Sequence, residues 1–323
     1  MKRTPQQSSS QMSLLAWNYR GLGLASAVRS LIDMVKESDP ILVFLSETKA
    51  KQSRTKGLQR KLNLTQGITV PIDGRSGGLV MMWKEGTEVC FKSCLNSHID
   101  VVVSEGKGAQ PWRATGFYGH PDAGMRTMSW NLIKSLKRQC DIPWVIFGDF
   151  NEIVHPDEKL GWLDRDARRM EGFRECLSEC GLVDLGFVGQ RYTWCNRRIG
   201  EQRTLVRLDR MVENEKWLNM FREAKVYHRA MVASDHCLLN LSLKHRASRK
   251  GGRKRFMFEA MWTREERCRK VIEDAWDPLN CNPDVLVQYR LKCYQESLQS
   301  WNKRVFGNVN KTLELKQNRS WNH

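Results

Sequence analysis

Six apolar runs in this 323-residue chain stop on polar side chains of kinds that move protons or hold cations. Pro143–Phe147 runs into Gly148-Asp149-Phe150-Asn151. Leu14–Trp17 ends at Asn18, Ile41–Leu45 at Ser46-Glu47, and Arg113–Phe117 at Tyr118-Gly119. Leu205–Leu208 runs into Asp209-Arg210, and Lys225–Ala233 ends at Ser234-Asp235-His236. In α/β sheets, ligand sites gather where strands end and loops project side chains into a crevice. Asp149 and Asn151 alternate about Phe150, so in an extended chain they share a face while Phe150 points away. The same two residues would also make an ordinary turn after a strand, and Asp235-His236 alone would be a weak signal. Together the endings favour a catalytic site, because burying such groups is costly unless they are paired or bind a cation.

The elements that must bring these residues together are short. Strands are predicted at Leu14–Trp17, Ile41–Leu45, Gly78–Trp83, Ile99–Val103, Trp112–Tyr118, Trp144–Phe147, Tyr192–Cys195, Leu205–Val212, Lys225–Met231 and Leu238–Leu243, all rich in Val, Ile and aromatics between turn residues. Helices are predicted at Ala25–Glu37, Met125–Gln139 and Arg168–Cys180, the last stopped by Gly181. Many strands with few helices predict an α/β (α+β) fold, two packed sheets flanked by helices, not a regular βαβ alternation. Trp112, Trp130, Trp162 and Trp194 read as core rather than as base-stacking platforms; of the four, Trp194 is the candidate for a place near a nucleic acid.

Residues 1–11 are polar and Ser/Gln-rich and read as a disordered tail, residues 12–244 as one domain, residues 245–255 as a basic linker, and residues 256–323 as a helical extension. In the extension Val287, Leu291, Tyr294, Leu298, Trp301 and Val305 lie four and three apart, a single helix face. That stripe needs a partner: the main domain, a helix around Val271–Trp276, or another chain.

Lys and Arg number 53 against 36 Asp and Glu, a net charge of +17. A field of that sign recruits polyanions, nucleic acid above all, with acidic membrane surfaces well behind. The ten cysteines form no C-x-x-C pair and read as reduced thiols. The first residues lack the apolar core of a signal peptide, and no run of about 18 apolar residues spans a membrane, so a nuclear or cytoplasmic location is expected. Gly21-Leu22-Gly23 does not make a dinucleotide loop, since Ser26 stands where a third glycine belongs. No P-loop and no G-x-S-x-G occurs.

WNYRGLG (17–23), SETK (46–49), FYG (117–119), GDFNE (148–152), RLDR (207–210) and SDH (234–236) stand in order. Over residues 12–244 this series resembles the endonuclease/exonuclease/phosphatase superfamily. LVDLGFVGQRYTWCN (182–196) and the RLDR spelling are more specifically similar to the endonuclease domain of plant non-LTR (LINE-type) retrotransposons. The basic linker, FMFEAMW (256–262) and SWNKRVFGN (300–308) resemble the segments downstream of that domain in such elements, with the reverse transcriptase expected next absent. The resemblance implies a DNase I-like four-layer sandwich of two mixed β-sheets flanked by helices, and a nuclease that nicks DNA by hydrolysing phosphodiester bonds.

It also implies roles. Glu47 would ligate a divalent cation, Mg²⁺ with Mn²⁺ as the alternative ion, and no small-molecule cofactor is expected. Asn18 and Asp235 would complete or support the metal and phosphate site. Asp149 would orient or deprotonate the attacking water, Asn151 and Tyr118 would hold the phosphate, and His236 would hydrogen-bond its non-bridging oxygen. Asp209 would orient His236 and favour its cationic form. Apart from the resemblance, Arg191, Arg197, Arg198 and Arg203 flank Trp194 in expected loops and read either as phosphate contacts or as a solvated surface. One position departs from the pattern: many relatives carry an acidic residue where Arg20 stands, and a cation cannot ligate a metal. Arg20 therefore leaves two competing expectations, a phosphate contact in an active enzyme or a weakened remnant that binds nucleic acid without cutting. A phosphatase of the same superfamily is the third reading.

Overall fold

The computed structural model describes residues 12–19, 25–49, 52–71, 77–104, 106, 108–162, 165–231, 234–243, 266–276, 297–298 and 300–301. The chain divides into two units, Met1–Ala247 and Ser248–His323.

The first unit runs β1 (Met12–Asn18), α1 (Ala25–Ser38), β2 (Leu42–Ser46), α2 (Gln52–Leu62), β3 (Gln66–Val70), β4 (Leu79–Trp83), β5 (Glu88–Leu95), β6 (His98–Ser104), β7 (Trp112–Tyr118), α3 (Arg126–Gln139), β8 (Trp144–Asp149) and β9 (Lys159–Leu160). It continues α4 (Ala167–Cys180), β10 (Leu182–Asp184), β11 (Val188–Gly189), β12 (Trp194–Cys195), β13 (Leu205–Val206), β14 (Asp209–Asn214), α5 (Glu215–Met220), β15 (Lys225–Arg229) and β16 (Leu238–Leu243). One sheet has the order β11-β15-β16-β1-β2-β4-β3, a second β10-β14-β8-β7-β6-β5, and a small third sheet β12-β13-β9.

Alternation along the strands builds the layers. Leu14 and Ala16 of β1 join Phe44, Met81, Val101, Ala114 and Phe147 in the core between the two large sheets. Leu15 and Trp17 point the other way, into a second core under α1 and α2 with Leu31, Val35, Leu58 and Leu62. On the far side, Trp144, Ile146 and Val212 pack under α3 and α4 with Trp130, Ile133, Phe173 and Leu177. Both sheets mix parallel and antiparallel pairs. The result is the expected four-layer α/β sandwich of two mixed sheets flanked by helices.

Three readings need correction. The run 205–212 is two strands, because the Thr193 hydroxyl accepts the N–H groups of both Leu208 and Asp209 and interrupts the ladder. Trp162 is not core; it is 77% exposed. Helices α2 and α5 and strands β3, β5, β9, β10 and β11 add to the predicted elements: α2 marks its buried side with few apolar residues, β5 is exposed or half-buried throughout, and the others are short. The helix after Arg168 starts at Ala167, capped by the Asp166 carboxylate, and ends on Gly181 in the left-handed conformation.

In the second unit α6 (Glu266–Trp276) carries the buried Cys268 against Leu298 and Trp301, with Val271 and Ile272 packed on them. The helix around Val271–Trp276 thus meets the two described members of the apolar stripe. The other stripe residues, the linker and the FMFEAMW segment lie outside the described residues, as do most of SWNKRVFGN and the tail 1–11.

Candidate active site

Strand register brings the polar strand ends level. In the second sheet, β8 lies between β7 and β14, with Tyr118 beside Asp149 across a parallel pair and Asp209 beside Asp149 across an antiparallel one. In the first sheet, Asn18 at the end of β1 stands beside Ser46 at the end of β2, and Glu47 follows in the left-handed conformation (φ 49°). Gly148 holds φ 137°, where a side chain would strike the Phe117 carbonyl, so only glycine lets β8 deliver Asp149 this close to β7.

The side chains then meet across the two sheets. The Asn18 amide donates to Asp149 Oδ2 at 2.8 Å and to Glu47 Oε1 at 3.4 Å. The Tyr118 hydroxyl donates to the same Glu47 oxygen at 2.6 Å. His236 Nδ1 donates to Asp209 Oδ2 at 2.9 Å, and its Nε2 lies 3.9 Å from Asp149 Oδ2. The Ser234 hydroxyl donates to the Asn18 carbonyl and accepts the His236 N–H, while the Trp17 indole donates to the His236 carbonyl. The segment bearing His236 is therefore tied to the end of β1.

Asp149 and Asn151 are not an extended pair. Asn151 has φ 56°, its N–H donates to Asp149 Oδ1, and its amide donates to the Gly119 carbonyl. The segment is an Asx turn and part of the site at once.

Burial alone would lower the pKa of His236, but the Asp209 carboxylate bonded to it, aided by Asp149 and Asp235, pushes it up to about 9. Burial and then the neighbouring Asp209 charge raise Asp149 to about 6, against the pull of His236, the Asn18 amide and the Asn151 N–H. At neutral pH the group holds a charged imidazole beside a carboxylate that stays ionised yet is a stronger base than an ordinary aspartate.

Residues 15–252 match the model of the Endonuclease/Exonuclease/phosphatase family. The chain belongs to this family. Solved structures share its fold: the endonuclease domain of TRAS1, a telomere-specific non-LTR retrotransposon, aligns over 73% of this chain and 99% of its own at 17% identity and a TM-score of 0.57. An AP endonuclease from Archaeoglobus fulgidus aligns over 72% of this chain and 99% of its own, at 14% identity and TM-score 0.56. The 3′ phosphatase NExo from Neisseria, bound to product DNA hairpin, covers the same shares at 14% identity and TM-score 0.54. No curated protein matches the sequence.

Members of the family hydrolyse phosphodiester bonds, and this member assembles Asn18, Glu47, Tyr118, Asp149, Asn151, Asp209 and His236 through the contacts above. The Asp235 carboxylate accepts the Trp194 indole N–H at 2.9 Å, and Trp194 pairs with His236 through the backbone. Arg191, Trp194, Arg197 and Arg203 line a cavity of about 470 Å³ together with Asp235 and His236. Arg198 is exposed and outside that lining, and Arg20 lies outside the described residues.

Sequence reasoning missed the charges behind the site. Arg207 and Arg210 flank Asp209, and both pair with Glu158 and Asp184 at 2.7–2.9 Å. Buried Glu152 of the GDFNE turn takes Arg126 at 2.5 Å and Arg165 at 3.8 Å. A signal for Arg210 was present: it neighbours Asp209 on a strand, so it must face away from the site, and it packs over Phe173 of α4.

Proposed function

We propose that this domain is a divalent-metal-dependent endonuclease that nicks DNA by phosphodiester hydrolysis, with Mg²⁺ as the ion and a plant LINE-type retrotransposon as its origin. The observation that carries the reading is the convergence of Asn18, Glu47, Asp149, Asp209 and His236, from distant parts of the chain, into one hydrogen-bonded cluster. DNA as the polymer is supported by the +17 charge and by the arginines beside His236. The LINE-type motif spelling supports the origin, and the TRAS1 domain shares the fold.

The donor set fits a hard cation. Glu47 offers a carboxylate, and the buried Asn18 Oδ1 has no hydrogen-bond partner, a costly state that a bound cation would relieve. Glu47 and Asn18 would hold the ion, with Asp235 in support through His236 and Trp194. When bound, the ion would offset charge on the phosphate oxygens. Asp149, Asp209 and His236 also place ligand-type atoms within 4.8 Å of one another. A charged imidazole has no lone pair to give a metal, so this trio is better suited to handling protons.

Asp149, held by Asn18 and the Asn151 N–H, takes the proton of the attacking water. His236, kept charged by Asp209, donates from Nε2 to a non-bridging phosphate oxygen as negative charge builds there. Asn151, anchored through one amide N–H to Gly119, keeps a second for the phosphate. Tyr118, read from the sequence as a phosphate contact, spends its hydroxyl proton on Glu47 and so orients that carboxylate.

The test is nicking of supercoiled plasmid with Mg²⁺. The expected result is open-circular product from the wild type, none after chelation and none from Asp149→Ala. An intact plasmid, or cleavage that persists in Asp149→Ala, overturns the assignment.

A further inference from the structure

On the outer face of the first sheet, α1 and α2 leave a cleft of about 500 Å³ between them, lined by no residue of the candidate active site. Its floor is aliphatic: Val28 and Ile32 from α1 and Leu58 from α2. Its rim is cationic: Arg29 from α1, Arg54 and Lys61 from α2, all exposed and none in an ion pair among the described residues. Among the described residues no acidic side chain lines it. Helix α2 carries Arg54, Lys56, Arg60 and Lys61 and no acid in its 11 residues. Gly57, in the interior of that helix, also faces the cleft, and a Cβ there would meet nothing within 4 Å. Glycine is among the poorest residues for a helix interior, and no neighbour among the described residues requires it. What it does provide is room for another chain to approach the helix closely.

We propose that this cleft is a docking groove for an acidic amphipathic helix of a partner protein. An apolar stripe would fill the aliphatic floor, as in helix-in-groove recognition, and flanking carboxylates would meet the cationic rim. Nucleic acid fits less well, since among the described residues no aromatic side chain lines the cleft to stack a base. A second copy fits less well too: none of the described α-helices of this chain carries more acidic than basic residues.

The experiment titrates the full chain against a fluorescein-labelled synthetic peptide with Leu at i, i+3, i+4 and i+7 and Glu between. Three controls are used: the same composition with the Leu positions scrambled, the Lys-for-Glu version, and a 20-nucleotide single strand. Saturable binding of the acidic amphipathic peptide is expected, at least tenfold tighter than of either peptide control. Gly57→Leu, which fills open space, should weaken it at least tenfold, and so should Arg54→Glu combined with Lys61→Glu. Plasmid nicking by both variants should match wild type, so failure of this proposal and failure of the nuclease reading are told apart. Equal binding of the scrambled peptide, or unchanged peptide binding by both variants, overturns the proposal. So does a loss of single-strand affinity in Gly57→Leu, which would make the cleft a nucleic-acid track.

Discussion

His236 is charged because of where its ring sits. It is buried, which alone would neutralise it, yet Asp209 accepts its Nδ1 proton at 2.9 Å and reverses the balance. Asp209→Asn keeps the size of that partner but removes the negative charge, so the imidazole loses its proton more readily and can no longer act as a cationic donor at neutral pH. General acid–base groups contribute about 10²–10⁴-fold to rates, and nicking at pH 7.5 should fall by about 10²-fold or more in a protein whose circular dichroism is unchanged. Wild-type activity in Asp209→Asn would remove His236 from its assigned role. Tyr118→Phe probes the other side of the site. The lost hydroxyl bond to Glu47 is charge-assisted, of the class worth about 1.5–3 kcal/mol. If Tyr118 orients Glu47, the Mg²⁺ concentration for half-maximal nicking rises by about tenfold while the rate at saturating Mg²⁺ changes little. A loss confined to the saturated rate would instead return Tyr118 to the phosphate.

At the scale of elements, buried charges lock the strand that carries Asp209 to its neighbours. Arg210 is fully buried and shared by Glu158 and Asp184, and Arg207 engages the same two carboxylates. Removing one member of such a group strands the others without solvent, which typically costs about 3–5 kcal/mol. Arg210→Met should therefore lower the stability measured by urea denaturation by about that much, while Arg222→Met, at an exposed position, leaves it unchanged. Equal stability of the two variants would show that the network is dispensable. This network also shows where sequence reading stops. Strands β1, β2 and β8 were legible because they are buried on both faces and read as apolar runs that end abruptly, and those endings, with that of β7, supply most of the candidate site. Paired charges such as Arg210 and Glu158 look like solvated surface in a sequence, since their burial depends on partners about 25–50 positions away. The conformation of Asn151 was not legible, because an Asx turn and an extended pair are written with the same letters.

The stability of the whole domain should carry the signature of one more buried group. His228 sits in β15 with Nδ1 on the Gln190 carbonyl at 2.7 Å, its Nε2 without a partner and its ring stacked on Phe187 at 4.5 Å. The Arg207 guanidinium covers Phe187 as well, 4.7 Å from the ring centre. Burial, with Arg207 adding to it, lowers the His228 pKa to about 4 despite the Gln190 carbonyl and the charges of Asp209 and Asp184. In the unfolded chain the same imidazole titrates near 6.5. Between these values the unfolded state binds a proton that the folded state refuses, so stability rises with pH across this window and is lost as pH falls through it. Asp149, raised to about 6, tilts part of the same window the other way, because there the folded state binds the extra proton. The contribution of His228 must therefore be read as a difference. His228→Gln keeps an N–H for Gln190 and cannot titrate. Urea denaturation at pH 7.5 and pH 4.5 should show the wild type losing roughly 2–3 kcal/mol more than the variant on acidification. Parallel losses would mean that His228 accepts its proton inside the folded protein, and the cation–aromatic–imidazole stack would have to tolerate a second charge.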